Sequence, residues 1–439
     1  MSRPGTGRRG SARLGLATSA HAARDPDEGH FNPAPNELLG GRFAIVSRLG
    51  HGTFGRVFAC TDRSRCDVEV AVKVIRAIDR YVAAGRAEVS VLTRIKQSAA
   101  RASWSAFSGS TLAPYFSKIH QNNCNLAYME ASFEYNGHIC IVFPKYGMSL
   151  LDLLRANNFR GFNIDWTREL SRNFMLGIGF LHCLGYIHTD IKLENILTKH
   201  KPLSTRVRDR IFVHPSGAEL IVIDLGSSVA LDDVKKPSLV CTRQYRPPEG
   251  YLGIPYDQSL DIWSCGCVIF ELLTGRTLFR THDSIVHLCM MEKLLGPMPD
   301  TVLRQMDAAN SKYSEHYSRE NRRWILPGEI PIQERRHYDD LGTLEAELTN
   351  CGYGYHSSLI HLLRMMLQWD ARRRPTVAEC MMHPFFLEEP RESKQVMTTT
   401  GPSDKVVRLI HDLVGAVSRE HPQYTELLRR ADEVLNGDS

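Results

Sequence analysis

Gly50-His51-Gly52-Thr53-Phe54-Gly55-Arg56-Val57 runs directly into the apolar stretch Val57-Phe58-Ala59-Cys60. Glycines at G-x-G-x-x-G spacing let a backbone approach a phosphate closely and offer it N–H donors. The same spacing opens helices in dinucleotide-binding folds. Here a strand follows, and the apolar run Phe43-Ala44-Ile45-Val46 precedes. The segment therefore reads as a hairpin able to lie over a nucleotide, although a plain tight turn would use the same residues.

The chain continues in strands and then changes character. Val68 to Ile75 alternates Val and Ala and reads as a third strand. Gly85 to Ile95 reads as a helix with Ala87, Val91, Leu92 and Ile95 on one face. Ala99 to Thr111 is rich in Ser and Ala and reads as an inserted loop, and two further strands end at Ile139 to Phe143. From Gly147 onward the pattern turns helical, as in Leu150–Ala156 and Leu170–Leu184. A strand-rich front followed by a helix-rich body predicts two lobes with a cleft between them.

Three polar clusters stand out against this background. Lys73 lies in the apolar strand Val70-Ala71-Val72-Lys73-Val74, eighteen residues after Gly55. A buried ammonium is costly unless anions meet it, and phosphates, with Glu88 of the next helix as holder, would do so. A lysine reaching along an edge strand to water is the alternative. His188-Thr189-Asp190-Ile191-Lys192-Leu193-Glu194-Asn195 places Asp190 and Asn195 in D-x-x-x-x-N spacing. Phosphoryl transfer needs a carboxylate near the acceptor hydroxyl and an oxygen ligand for magnesium. Finally, Leu220-Ile221-Val222-Ile223-Asp224-Leu225-Gly226 ends an apolar strand on a carboxylate, a fitting metal ligand.

In this order and spacing the four elements resemble the signature set of the protein kinases. The resemblance runs from about Phe43 to Leu387, and later markers agree. Pro247-Pro248-Glu249 resembles the Ala-Pro-Glu motif, Asp261-Ile262-Trp263 the buried aspartate helix, and Arg374 the arginine that pairs with Glu249. The resemblance implies an α+β bilobal protein kinase fold over 39–387. Its strand-rich N-lobe would span about 43–143 and its helical C-lobe about 147–387, with the ATP cleft between. It also implies ATP and Mg2+. Asp190 would accept the substrate proton and Lys192 meet the γ-phosphate. Asn195 and Asp224 would hold the metal, and Lys73 with Glu88 would position the α/β-phosphates. Leu49, Gly50, His51, Gly52, Thr53, Phe54, Gly55, Arg56 and Val57 would cover the nucleotide. Leu49, Val57 and Ala71 above and Leu197 below would enclose adenine, with Phe143 as gatekeeper. Pro144 (through its carbonyl) and Tyr146 (through its N–H) would form the hinge contacts.

Within the family, Thr281-His282-Asp283-Ser284 and His287 to Pro297 resemble the LAMMER signature of Clk-type kinases. Only Cys289 for Ala and Lys293 for Arg depart from the six letters. Asp224-Leu225-Gly226 and Thr242-Arg243-Gln244-Tyr245-Arg246 are similar to SR-protein kinases instead, but the long spacer of that group is absent. The expectation is a dual-specificity Ser/Thr kinase of proteins, Arg/Ser-rich ones among them. An SR-protein-kinase-like enzyme and a pseudokinase scaffold are the alternatives. A scaffold would be expected to lack one of Lys73, Asp190, Asn195 or Asp224, and all four are present.

The tails carry no comparable signal. Residues 1–38 read as a disordered basic tail, with five arginines and no acid in the first 24 residues. Residues 388–402 read as a linker. Residues 403–439 read as a helical extension, with Val406, Ile410, Leu413, Val414 and Val417 at helical spacing. No apolar run approaches a membrane span, and a net charge of +5 over 439 residues gives no reason to expect direct nucleic-acid binding. Eleven cysteines without CxxC pairs predict free thiols. A monomer in the nucleus, the cytoplasm or both is expected.

Overall fold

The computed structural model describes residues 28–100, 124–200, 203–207, 210–214 and 219–388. Its first half is one antiparallel sheet built from β1 (Leu38–Leu39), β2 (Phe43–Gly52), β3 (Gly55–Asp62), β4 (Val68–Ile75), β5 (Ala131–Tyr135) and β6 (His138–Pro144). Their order across the sheet is β1-β2-β3-β4-β6-β5. Strand β4 coincides with the sequence expectation, because its alternation is clean. Val70, Val72 and Val74 are fully buried on the outer face, while Ala71 and Lys73 alternate with them and face the cleft. Register sets Lys73 opposite Val57 on one side and Ile141 on the other.

The outer face carries its own core, and the chain's expected tail supplies part of it. Phe31 and Leu39 pack with Phe43, Phe58, Val72 and Val142, and Phe31 is only 5% exposed. Residues 28–38 therefore belong to the lobe and not to a disordered tail. Residues 1–27 lie outside the described residues.

Helix α1 (Asp79–Ala100) begins six residues before the expected Gly85. Ala87, placed on the buried face by its spacing, is exposed. The buried stripe passes instead through Glu88, Val91, Leu92 and Ile95. A spacing of three, one and three residues is as helical as the expected one, and Lys73 gives Glu88 a reason to face inward. The expected loop Ala99–Thr111 starts inside this helix, where Ala99 is buried; residues 101–123 are outside the described set.

The second half is helical. Helix α2 (Leu150–Ala156) is where the sequence put it. Helix α3 (Ile164–Cys183) starts earlier than the expected Leu170, because the Asn163 side chain caps it by accepting from Trp166 N at 2.8 Å. Short strands β7 (Tyr186–Ile187), β8 (Ile196–Thr198), β11 (Leu220–Val222) and β12 (Val229–Ala230) carry the polar loops. A hairpin, β9 (Leu203–Val207) with β10 (Arg210–His214), sits between them. Beyond lie α4 (Pro248–Leu252), α5 (Ser259–Thr274) and α6 (Ser284–Leu295). Every residue of α5 from Leu260 to Leu273 is buried. The Arg374 guanidinium grips Glu249 through two bonds of 2.6 and 2.7 Å, as expected. Removing one partner of a pair so buried costs about 3–5 kcal/mol. One core runs from Val91 and Leu92 of α1 through Leu225 to Phe174 and Trp263, so the lobes share apolar packing behind the cleft.

All eleven cysteines are free thiols. Among the described residues, no helix is long and apolar enough to cross a membrane. The expected linker and C-terminal helices fall outside the described residues.

Candidate active site

Three charged groups meet where the two lobes face each other. Lys73 Nζ lies 2.8 Å from both Glu88 oxygens and 2.7 Å from Asp224 Oδ1. Burial works against the ammonium, yet Asp224 and Glu88 together outweigh it and raise its pKa. Lys73 in turn pulls the Asp224 carboxyl below its ordinary value, against burial. Glu88 moves the other way, because its burial outweighs its share of the one ammonium. Gly226 makes room for this contact, since a Cβ there would lie 2.8 Å from Glu88 Oε2. Leu225, in the seat often filled by Phe, is buried under α1.

Asp190 is held from three sides. Its Oδ2 accepts from Lys192 Nζ at 2.7 Å and Asn195 Nδ2 at 3.2 Å. Its Oδ1 accepts from the Thr242 hydroxyl at 2.6 Å and the Thr242 amide at 3.1 Å. Lys192 also reaches the Thr242 hydroxyl at 3.0 Å. The loop itself hangs from the buried helix α5. Asp261 accepts from the amides of His188 at 2.7 Å and Thr189 at 2.9 Å, and contacts His182 Nε2 at 2.8 Å. Thr189 has a left-handed backbone, φ 68°, a strained choice for a β-branched residue. Those bonds and its own hydroxyl bond to Ser227 O at 2.8 Å hold it there.

The glycine-rich hairpin forms as expected, with Gly52 paired to Gly55 across a Thr53-Phe54 turn. Its glycines serve different ends. A Cβ at Gly55 would lie 2.2 Å from Val74 O, so that glycine is required by β4. Gly52 meets nothing within 4 Å and Gly50 only Val57, which leaves their backbone open to a ligand. Two expected covering residues turn their side chains away. Arg56 is buried on the outer face, donating to Phe31 O at 3.1 Å. The His51 ring lies beside His30, with centroids 4.7 Å apart. Strand alternation explains Arg56, because Val57 takes the cleft side.

Ala71 pairs with Phe143, which places Pro144 to Tyr146 at the connection between lobes. Leu197 pairs with Ile221 on the opposite wall. Half-exposed Leu49 falls at a register shift between Arg48 and Gly50. The Tyr146 side chain is not in the cleft: its hydroxyl accepts from Tyr128 N at 3.0 Å, and only its backbone remains for a ligand.

The donors suit a hard divalent cation. Asn195 commits its Nδ2 to Asp190, which leaves its Oδ1 open to a cation. Asp224 gives Oδ1 to Lys73 and keeps Oδ2. Two oxygen ligands from protein, with phosphates and water completing the shell, is the manner in which Mg2+ is usually held. Among the described residues, no cluster of three or more His, Cys, Asp or Glu side chains offers a cage made wholly of protein.

Thr242 is the residue that sequence reasoning missed. It was legible as part of Thr-Arg-Gln-Tyr-Arg and as a candidate phosphate acceptor, and nothing in that run says that its hydroxyl will reach an aspartate 52 positions away. Arg246 is likewise committed, donating to Val240 O and Cys241 O, both at 2.8 Å.

Comparison with known proteins agrees with this geometry. Residues 114–386 match the protein kinase domain family. The chain is 33% identical over 371 residues to the serine/threonine-protein kinase AFC2 of Arabidopsis thaliana, covering 82% of this chain and 81% of that protein. It is 34% identical over 368 residues to the dual specificity protein kinase lkh1 of Schizosaccharomyces pombe, covering 83% of this chain and 49% of that longer protein. With human dual specificity protein kinase CLK2 the identity is 33% over 372 residues, covering 84% of this chain and 68% of that one. A crystal structure of a kinase domain superposes with a TM-score of 0.68 at 29% identity, covering 82% of this chain and 99% of that one.

Proposed function

Because the chain belongs to the protein kinase family, among its Clk-type members, we propose that it transfers the γ-phosphoryl group of MgATP to Ser and Thr hydroxyls of proteins, acting as a monomer. The observation that carries this reading is the convergence of Lys192, Asn195 and Thr242 on one carboxylate, Asp190. Four donors fix its two oxygens, so the group that receives the substrate proton needs no reorganisation during transfer. Lys73, fixed by Glu88, holds its charge toward the phosphates. The backbone at Gly50 and Gly52 supplies donors from above. Mg2+, held by Asn195 and Asp224, supplies charge neutralisation to the phosphates when bound.

Single-turnover transfer from labelled ATP to a Ser peptide tests the reading. The parent transfers label, and Asp190→Asn lowers the rate by about a hundredfold or more. A parent that binds ATP and transfers nothing would establish a scaffold instead. Running Ser, Thr and Tyr peptides in parallel decides whether the enzyme is dual-specific.

Arg/Ser-rich substrates fit the surroundings of the acceptor. Glu194, next to the metal ligand Asn195, is exposed. Its neighbour Glu271 is already committed to the Tyr245 hydroxyl at 2.6 Å and the Thr277 hydroxyl at 2.8 Å. Glu194 is thus the carboxylate with freedom to take a substrate arginine bidentately. Glu194→Gln should raise KM several-fold for Arg-bearing peptides and leave it unchanged for neutral ones. Equal changes for both classes would refute the contact.

A further inference from the structure

Residues 28–32 run from the glycine-rich hairpin to the start of α1, touching both. At one end, Arg56 of β3 donates to Phe31 O at 3.1 Å and to Asn32 Oδ1. Its Nε reaches His51 Nδ1 at 3.3 Å, and the His51 ring lies against His30. At the other end, Gly29 O accepts from Ala77 N at 2.8 Å. Arg76 Nε donates to Glu28 O at 2.9 Å. Phe31 plugs the middle, its ring edge-on to Phe58 at 6.0 Å and to His138 at 5.4 Å. Gly29, at φ 71°, permits the close approach, because a Cβ there would lie 2.6 Å from Ile78 Cγ1.

Arg76 joins the two ends. It reaches Thr53 O, at the hairpin turn, at 3.5 Å, and its guanidinium lies 4.9 Å over the Tyr81 ring of α1. Phe54 at the turn meets the same Tyr81 edge-on at 6.0 Å. Turn, strap and helix start therefore share one cluster, and that helix carries Glu88.

We infer that residues 28–32 are a strap that positions the glycine-rich hairpin and α1 together, and so sets the affinity for ATP. The physical need is plain. A two-stranded hairpin tip is marginally stable by itself, and its glycines make ordering it costly. Contacts that hold the tip in place before nucleotide arrives remove part of that cost from binding. The strap does so from the outer face, without touching the cleft. Arg56 and Arg76 act here as positioning residues.

The inference rests on the ATP reading above, and the test separates the two. Arg76→Met and Phe31→Ala are made in the full chain, and KM for ATP and for peptide are measured. Amide exchange of residues 50–57 and 79–90 is followed without nucleotide. Expected are a rise of about fivefold to tenfold in ATP KM, a peptide KM within about twofold of the parent, and faster exchange in both segments. Half-buried Arg76 carries the test if Phe31→Ala fails to fold. Unchanged ATP KM in folded Arg76→Met overturns the strap, as does exchange that quickens in neither segment. A parent without saturable ATP dependence would defeat the ATP reading, and the exchange measurement would still decide the strap.

Discussion

Lys73 keeps its charge in a site that is only 13% exposed, because two carboxylates surround it. Replacing it leaves Glu88 and Asp224 facing each other with no cation between them. Lys73→Met should therefore cost about 3–5 kcal/mol of stability while keeping the fold, and lower turnover by about a hundredfold or more. Circular dichroism and initial rates check both halves, and near-parental turnover would contradict the role assigned to the ammonium. The glycines teach a related lesson. Gly50, Gly52 and Gly55 look alike in the motif, yet Gly55 answers to the backbone of β4. Thr189 and Thr242 are further cases in which a side chain's partner lies far away in sequence. Such partners are set by the fold's long-range geometry and leave no local trace.

At the scale of elements, strands with one clear alternation were legible to the residue, as β4 shows. The starts of α1 and α3 were not: α1 begins at Asp79, well ahead of its apolar face at Val91 and Leu92, and the Asn163 side chain caps α3 ahead of Leu170. Glu88 could be read as the partner of Lys73, but not that it displaces Ala87 from the buried face. The Clk-type signature proves to be architectural. In α6, Leu288, Cys289, Met290 and Met291 are buried, Glu292 accepts from Trp324 N at 2.9 Å, and Lys293 donates to Tyr338 O at 2.7 Å. His287 of the same helix contacts the Tyr251 hydroxyl at 2.8 Å. Burial, aided by Arg246 and Arg243, pushes its pKa down to about 3. Unfolded, it titrates near 6.5. Its neutral form is thus required by the fold: the contribution is complete above about pH 6.5 and is lost as pH falls toward 3. Its share of the slope reaches about 1.4 kcal/mol per pH unit. His287→Gln should flatten the stability-versus-pH curve in that window, measured by urea unfolding. An unaltered slope would mean that other groups carry it.

For the molecule as a whole, the question is what switches it on. Glu88, Lys73 and Asp224 are already joined, and Asp190 is already fixed. The position before Asp190 is Thr189, which has no charge to offer a phosphate. Lys236 ties the activation segment down by donating to Tyr256 O at 3.1 Å. Phosphorylating Thr242 would set a dianion against Asp190, and the Arg246 guanidinium nearby already gives Nε and Nη2 to carbonyls. Phosphatase-treated enzyme, verified by mass spectrometry, should therefore keep its initial rate within about tenfold, a barrier change under about 1.4 kcal/mol. A larger loss would show that a phosphate completes the site. The uncharged Thr189 then has a consequence for how such an enzyme is governed. A catalyst that keeps its rate without phosphate would carry no memory of an upstream signal. Its output would rise in proportion to the number of copies made and to the substrate within reach, so a cell would tune it by synthesis, destruction and placement.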